Sequence, residues 1–427
     1  MRLLYSLMLT LMLPLILARL LWRGARQPGY REHIPERFGR YLQPQLKHCI
    51  WIHAVSVGET RATEPLIRRL KTLYPKRPIL LTSMTPTGRA TASELFGGTV
   101  TCVYLPYDIV VLHQRLIDHF QPSVLLIMET EIWPNLLHAC AHNGLPAFLI
   151  NGRLSEKSQR GYARIAGIRT LVRRALESVQ VVAAQSEADA GRFRVLGAKN
   201  IVITGNIKFD LRLEPALVAL GETWRASQRG RRVLLCASTR EDEESMLLDA
   251  YLKTFDDHAR RDLLLVVVPR HPQRFDLVAD AINSAGLRFN RRSQGPQEVA
   301  DNLSMEVLLG DSMGEMAAYY ALCDVVIIGG SFLPLGGQNL IEACAMGKPV
   351  IMGQSIFNFA EATQLAKDAG AMLQVHDAHD AMRTAQMLLG DDARRQQMRE
   401  AGLKLITANR GATEKTLALI TPMLEKN

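Results

Sequence analysis

The sequence has few of the residues that mark disulfide-rich or metal-binding proteins. Its six cysteines stand singly, mostly within apolar stretches, and none forms a Cys-x-x-Cys pair. Scattered cysteines of this kind are typical of buried thiols in a reducing compartment. Aromatic residues are also scarce, at 6%, whereas hydrophobic residues make up 48% of the chain. This composition is typical of a globular protein, and a length of 427 residues predicts about two or three domains.

Common nucleotide-binding and metal-binding motifs are missing as well. The main glycine-rich loop follows the apolar run Val325–Ile328 and contains Gly329, Gly330, Gly336 and Gly337. It does not read Gly-x-Gly-x-x-Gly and no Walker lysine follows, which disfavours a dinucleotide enzyme and a P-loop ATPase. No Asp-x-Asp motif is evident, so we expect no metal and no other cofactor. A glycine loop between a strand and a helix still allows backbone amides near Gly330 to face a phosphate.

Acidic side chains are outnumbered by basic ones. The chain has 51 lysines and arginines against 42 aspartates and glutamates, a formal net charge of +9. This excess favours an anionic partner, such as nucleic acid, a nucleotide, phospholipid or a phosphorylated glycolipid. Charge alone does not choose among these partners.

The N-terminal stretch indicates a membrane. Residues 3–22 are almost continuously apolar, interrupted by Pro14 and Arg19, and are about long enough to span a bilayer. No good signal-peptide cleavage site follows them. Positive charges on the far side, at Arg23, Arg26 and Arg31, predict that the rest of the chain stays in the cytoplasm. The stretch is compatible with a spanning helix or with a helix lying in the interface.

From residue 49 onward, short β-branched runs alternate with helical stretches, a pattern typical of parallel, doubly wound α/β sheets. The predicted strands are 49–53, 79–82, 100–105, 124–128, 147–150, 179–183 and 201–204, then 233–236, 263–268, 307–309, 325–328 and 350–351. The pattern lapses between residues 205 and 229. We therefore predict two Rossmann-like domains, at 31–210 and 211–427 after an anchor at 1–30, with a ligand cleft between them. The helical tail, 391–427, is a candidate to pack back on the N-terminal domain.

Glu59 is the first candidate catalytic residue. It follows the predicted strand 49–53 and a Val57-Gly58 turn, and begins a predicted helix that runs through Pro65 to about residue 74. Ligands of open α/β sheets bind outside the carboxyl ends of the strands, where Glu59 would be a general base. The alternative is that Glu59 only complements the helix dipole. On this stretch alone, the alternative is favoured.

The second half contains candidate ligand contacts at other strand ends. Asn339 and Glu342 are spaced to share one face of a predicted helix at 340–346, where the carboxylate could accept hydrogen bonds from ribose hydroxyls. Arg270 lies between prolines at a strand end and suits a phosphate or a base carbonyl. Gly314 and Glu315 open another predicted helix. The alternatives are a dipole partner for Glu342 and a surface cation for Arg270.

A set of motifs in a fixed order resembles the 3-deoxy-D-manno-octulosonic acid (Kdo) transferase family. The motifs lie at 53–59, 84–88, 104–108, 128–135, 205–210, 269–272, 310–315, 329–331 and 339–342. The resemblance covers nearly the whole chain. It implies a GT-B fold, CMP-Kdo as donor, and a lipid A precursor (tetraacyl lipid IVA) as acceptor in lipopolysaccharide biosynthesis, at the cytoplasmic face of the bacterial inner membrane. The departures are Ser312, where the family often has threonine, and the side chains of loop 332–338.

The resemblance also implies roles for individual residues. Glu59 would be the proton acceptor, and Glu129 and Lys208 would stabilise the transition state. The CMP site would contain Pro269, Arg270, Met313, Gly314, Glu315, Asn339, Leu340, Ile341 and Glu342. A single displacement would invert the anomeric carbon without metal, with Arg270, Lys208 and the helix starts near Gly314 and Gly330 stabilising the leaving phosphate. The alternatives are a surface charge for Lys208 and, for Glu129, a partner of Lys208 that only locks the domains together.

Other functions fit parts of the sequence. A GT-B transferase that uses a UDP-sugar has similar residue chemistry. A sugar-nucleotide epimerase or hydrolase on the same fold would need no membrane anchor. A membrane-attached protein that only binds acidic lipid would keep its function without Glu59. The resemblance favours the Kdo transferase over these, and no nucleic-acid partner is expected.

Overall fold

Apolar runs in the first half of the chain form a parallel sheet, because strands covered on both faces need side chains without polar groups. The strands are β1 Cys49–His53, β2 Ile79–Ser83, β3 Thr101–Tyr104, β4 Pro122–Met128, β5 Ala147–Gly152, β6 Val181–Ala184 and β7 Ile201–Ile203. Their order in the sheet is β3-β2-β1-β4-β5-β6-β7. Trp51 of β1 lies beside Leu80 of β2 and Leu125 of β4, all in parallel register.

The second half of the chain repeats the plan with one change. Its strands are β8 Arg232–Thr239, β9 Leu263–Pro269, β10 Phe289–Arg291, β11 Val307–Leu309, β12 Val325–Ile328, β13 Val350–Met352 and β14 Met372–Gln374. The order is β10-β11-β9-β8-β12-β13-β14, again parallel. In the second sheet β11 is inserted between β9 and β10, whereas in the first sheet β2 and β3 are direct neighbours. All predicted strands are confirmed.

Helices connect the strands of both sheets. In chain order they are α1 Arg2–Arg26, α2 Val57–Ala62, α3 Glu64–Leu73, α4 Pro86–Phe96, α5 Val110–Phe120, α6 Pro134–His142, α7 Glu156–Arg164, α8 Ala166–Glu177, α9 Glu187–Leu196, α10 Pro215–Ser227, α11 Glu243–Thr254, α12 Asp257–Arg261, α13 Phe275–Ser284, α14 Met316–Leu322, α15 Ile341–Ala345, α16 Ala360–Asp368, α17 Ala378–Gly390, α18 Asp392–Asn409 and α19 Ala412–Glu425.

The computed structural model describes residues 1–295 and 304–425, and the chain divides into two units. Unit 1 contains Met1–Asp210 and the C-terminal stretch from Asn409, and unit 2 contains Leu211–Ala408. The last two residues of the predicted helical tail lie outside the described residues. Leu417 and Ile420 of α19 belong to a buried cluster on one face of the first sheet, together with Ile50 and Leu126.

One sequence expectation is corrected, and two strands were missed. The predicted helix from Glu59 to about residue 74 is two helices, α2 and α3, that meet at Thr63. Pro65 stands in the first turn of α3 and has no N–H to continue the ladder of α2. Strands β10 and β14 were not predicted. Each has only three residues and includes polar side chains, because each forms an edge of the second sheet.

Both sheets have a point where the connections reverse direction. In unit 1 this point lies between β1 and β4, and in unit 2 it lies between β8 and β12. The loops that leave the carboxyl ends of such neighbouring strands diverge and create a crevice, which is where α/β sheets bind ligands. The segments after these four strands therefore define where to look for a site.

Helix α1 is the one helix, in the part of the chain that the structure describes, long and apolar enough to cross a membrane. Its first turns are hydrogen-bonded to other parts of unit 1. The Tyr5 hydroxyl donates to Asp108 at 2.9 Å, and the Ser6 hydroxyl donates to Asn135 at 3.1 Å. Leucines along the helix are exposed, including Leu3, Leu7, Leu11 and Leu15.

Candidate active site

Glu59 lies in the third position of α2, and its carboxylate turns back on the start of the helix. Ser56 is the N-cap, and its hydroxyl accepts from the Glu59 amide at 3.4 Å. The carboxylate accepts from the Val55 amide and from the Ser56 hydroxyl, each at 2.9 Å. These contacts fix the side chain at the carboxyl end of β1.

The surroundings of Glu59 raise the pKa of its carboxyl group. The pKa of Glu59 is raised from 4.5 to about 7. Burial is the largest cause and the charges of Glu129 and Glu131 act in the same direction, whereas the Val55 and Ser56 hydrogen bonds lower the pKa. A pKa near the working pH suits a general base. The capping contacts agree with the helix-start interpretation of Glu59. That interpretation does not predict a pKa near 7.

Glu129 and Lys208 form an ion pair beside this strand end. The Lys208 ammonium donates to Glu129 Oε1 at 2.8 Å, and both side chains are largely buried. Glu129 directly follows β4 and has a left-handed backbone, with φ at 56°. Such a conformation costs on the order of 1–3 kcal/mol for a residue other than glycine and is common at functional sites. The Glu129 amide donates to Ile150 O at 3.0 Å, which helps to hold it.

Lys208 is positioned by three buried or half-buried amide side chains. Asn151 Oδ1 accepts from the Ile207 amide, and Asn206 Oδ1 accepts from the Lys208 amide, each at 3.0 Å. Asn206 in turn donates to Gln185 Oε1 at 3.0 Å. The alternative in which Glu129 and Lys208 lock two domains together is wrong, because both residues belong to unit 1.

Glu131 is a third carboxylate that the sequence analysis did not assign to the site. It accepts from the Trp133 indole at 3.0 Å, and its pKa is raised by burial and by the charge of Glu129. It also contributes to the raised pKa of Glu59. The run Glu-Thr-Glu after β4 was a visible signal, but only the pairing of β1 with β4 brings Glu131 near Glu59.

In unit 2, the predicted CMP-site residues follow three strands. Pro269 ends β9, and the amide of Arg270 donates to Thr239 O at 2.9 Å. After β11, Met313 and Gly314 are exposed, whereas Glu315 accepts from Arg292 at 2.8 Å. These residues surround the carboxyl ends of their strands, as expected.

The third predicted group begins α15. Asn339 Oδ1 accepts from the Ile341 amide and Asn339 Nδ2 donates to Glu342, each at 3.0 Å. The two polar side chains are therefore in contact, in agreement with their spacing. Leu340 and Ile341 are buried, so their side chains belong to the core and only their backbone groups are suited to a ligand.

The glycine loop after β12 differs from its expectation. The Gly330 amide donates to Glu243 Oε2 at 2.6 Å, and the Phe332 amide donates to Glu243 Oε1 at 3.0 Å. The prediction that the amide near Gly330 faces a phosphate is thus wrong, because a carboxylate of the same chain already accepts that hydrogen bond. Nothing in the sequence pattern marked Glu243, which stands in a run of acidic residues after β8.

Two family models match the chain. Residues 32–211 match the N-terminal domain described as 3-deoxy-D-manno-octulosonic-acid transferase (kdotransferase), and residues 298–405 match glycosyl transferases group 1. A solved structure of a glycosyltransferase from Rickettsia africae shares the fold, with a TM-score of 0.57 and 16% identity over 89% of this chain and 100% of that one. Two Rossmann-like sheets with these matches define a glycosyltransferase of the GT-B fold class.

Full-length relatives narrow the class. The chain is similar to the 3-deoxy-D-manno-octulosonic acid transferase of Bordetella pertussis, with 43% identity over 425 residues and 97% of each chain covered. It is also similar to the transferase of that name from Haemophilus influenzae, with 35% identity over 100% of this chain and 99% of the relative. The chain belongs to the Kdo transferase family.

Proposed function

We propose that this Kdo transferase moves Kdo from CMP-Kdo to a lipid A precursor, tetraacyl lipid IVA, with Glu59 as general base. The observation that carries the proposal is the Glu59 carboxylate, which is held at the end of β1 with a pKa raised to about 7 by burial. An alcohol is a poor nucleophile until its proton is removed. The unprotonated Glu59 would take that proton from the acceptor hydroxyl.

The transfer would be a single displacement that inverts the anomeric carbon. The acceptor oxygen forms the new glycosidic bond as the bond between the anomeric carbon and the CMP phosphate oxygen breaks. The proton passes to Glu59, and CMP leaves with the bonding electrons. Fixed positive charge lowers the energy of such a transition state. Lys208 would supply that charge in unit 1, and Glu129 orients its ammonium.

Unit 2 would bind the donor. We assign the cytidine and its phosphate to the groups at the ends of β9, β11 and β12. Arg270 is a cation at this edge that suits the phosphate, and the exposed backbone around Gly314 leaves room for a ligand. The Asn339–Glu342 pair offers a carboxylate to ribose hydroxyls.

Helix α1 would attach the enzyme to the membrane that contains its acceptor. Its exposed leucines and the arginines that follow it suit the cytoplasmic face of the bacterial inner membrane. Sedimentation with anionic phospholipid vesicles checks this attachment. The full chain should pellet with the vesicles and a chain without residues 1–26 should stay in solution. Equal binding by both would contradict a role for α1.

A transfer assay tests the reaction and the base together. Purified protein in detergent is given CMP-Kdo generated in situ and radiolabelled lipid IVA, with and without EDTA. Wild type should produce a Kdo-bearing lipid under both conditions. Glu59→Gln should bind CMP but lose roughly 10²–10⁴-fold in kcat, the usual contribution of a general base.

A matched control is Glu94→Gln, the same change at an exposed glutamate of α4 in the same unit. It should keep wild-type activity. Full activity in Glu59→Gln would contradict the base assignment. Absence of product from wild type with CMP-Kdo, together with product from a UDP-sugar, would contradict the donor assignment.

A further inference from the structure

Glu243 is a buried carboxylate that the proposed mechanism does not use. It is the first residue of α11, and none of its surface is exposed. Besides the Gly330 and Phe332 amides, its carboxylate accepts from the Arg240 amide at 2.9 Å. Three backbone N–H groups from two separate loops therefore converge on one side chain. Burying a carboxylate is costly unless it is hydrogen-bonded in this way.

The two loops that Glu243 joins leave the neighbouring strands β8 and β12. Gly329 donates to Ala237 O at 2.8 Å, and a Cβ at Gly329 would lie 2.6 Å from Ser238 O. The backbones thus approach each other as closely as only glycine allows. Ser238 itself has a left-handed backbone, with φ at 55°. The Glu243 carboxylate joins these two loops, because it accepts from Arg240 in the first and from Gly330 in the second.

Backbone hydrogen bonds of the glycine loop link Gly329 and Gly330 to the start of α15. Gly337 donates to Gly330 O at 2.6 Å, and Gln338 donates to Gly329 O at 3.0 Å. Asn339 comes next in the chain and binds both the Ile341 amide and Glu342. The two ends of the glycine loop are thus hydrogen-bonded to each other through Gly329, which also binds β8, and Gly330, which also binds Glu243. A shift of Gly330 would move Asn339.

We propose that Glu243 is a positioning residue for the donor nucleotide, which acts by holding the glycine loop so that Asn339 and Glu342 face the ribose. The inference rests on the proposed function, which assigns this pair to CMP. Glu243 does not touch the nucleotide. Its negative charge takes the place that a ligand phosphate would otherwise occupy at the Gly330 and Phe332 amides.

The test compares Glu243→Gln with Glu244→Gln. A glutamine at 243 offers an N–H₂ group to at least one of the three amides and loses that hydrogen bond. Glu244 is almost equally buried and adjacent, but its carboxylate accepts from Arg274 at 2.9 Å and from Thr239 at 3.0 Å, and within the described residues no hydrogen bond joins it to the glycine loop. It is therefore a control for lost stability without lost positioning.

CMP binding by calorimetry and the separate kcat and KM for CMP-Kdo are the readouts. In Glu243→Gln, the Kd for CMP and the KM for CMP-Kdo should each rise roughly tenfold, with a smaller change in kcat. Glu244→Gln should melt at a lower temperature yet keep the wild-type Kd for CMP. If Glu243→Gln does not fold, Glu243→Asp keeps the charge at a shorter reach and should show the same rise at smaller size.

Two results would overturn the inference. One is an unchanged Kd for CMP in folded Glu243→Gln or Glu243→Asp, while wild type binds CMP. The other is an equal rise in Glu243→Gln and Glu244→Gln, which would mean that general packing decides the affinity. Failure of wild type to bind CMP is a distinct result. It would contradict the proposed donor, and the inference would fall with it.

Discussion

The same topological position carries a glutamate in each unit, and the two glutamates have opposite surroundings. In unit 1, Glu59 follows β1 and its neighbour across the reversal point is β4, followed by Glu129. In unit 2, Glu243 follows β8 and its neighbour is β12, followed by the glycine loop. One carboxylate lies beside two others, and the other accepts three backbone amides.

The difference in surroundings is the basis for proposing a base at one position and a positioning residue at the other. Like charges and burial favour the protonated form of Glu59 and bring its pKa near 7. In unit 2, three backbone N–H donors hold the Glu243 carboxylate in place instead. Of the two residues, Glu59 is therefore the one with the raised pKa that the proposed base requires.

The largest expected effect is that substitutions of the two glutamates have opposite effects on kcat and on CMP binding. Glu59→Gln should lose kcat and keep CMP binding, and Glu243→Gln should do the reverse, because each residue serves only one of the two steps. The kinetic constants and CMP affinities described above test both halves. A loss of kcat in Glu243→Gln as large as that in Glu59→Gln would show that the two positions do not differ in role.

The raised pKa of Glu59 also predicts that the Glu59→Gln substitution makes the protein more stable. Because the folded pKa of Glu59 is raised from 4.5 to about 7, the folded state binds more protons than the unfolded state between these values. Stability therefore falls as the pH rises from about 4.5 to 7. Glu59→Gln buries no charge and should be more stable than wild type at pH 8 by roughly 1–3 kcal/mol.

Denaturation of both proteins at pH 8 and pH 5 measures this gain. The advantage of Glu59→Gln should shrink at pH 5, where wild-type Glu59 is protonated. Glu94→Gln provides the baseline for the loss of one exposed charge. A variant that is less stable than wild type at pH 8 would mean that the Val55 and Ser56 hydrogen bonds outweigh the cost of burial.

Much of the fold could be predicted because it depends on local pattern. Apolar runs gave the strands of both sheets, and the strand-turn-helix around Glu59 placed it at a strand end. Strands β10 and β14 could not be predicted, since three mixed residues at a sheet edge have no periodic signal. The break of the helix at Thr63 was readable from Pro65 and was missed.

The site was less predictable because its chemistry depends on contacts between distant segments. The pKa of Glu59 depends on Glu129 and Glu131, which only the pairing of β1 with β4 brings near. The role of Glu243 depends on the approach of the loops after β8 and β12, 87 residues apart. A single sequence shows the glycines but not which anion their amides bind.

The most direct test of the account is the pH dependence of kcat/KM for the acceptor. We predict that activity falls toward low pH with the loss of one catalytic base and a midpoint near the pKa of about 7 that burial gives Glu59. Lys208→Met should move this midpoint to higher pH, because the uncompensated Glu129 charge would act on Glu59. An activity that is flat from pH 5 to 8, or a fall that persists in the residual activity of Glu59→Gln, would contradict Glu59 as the base.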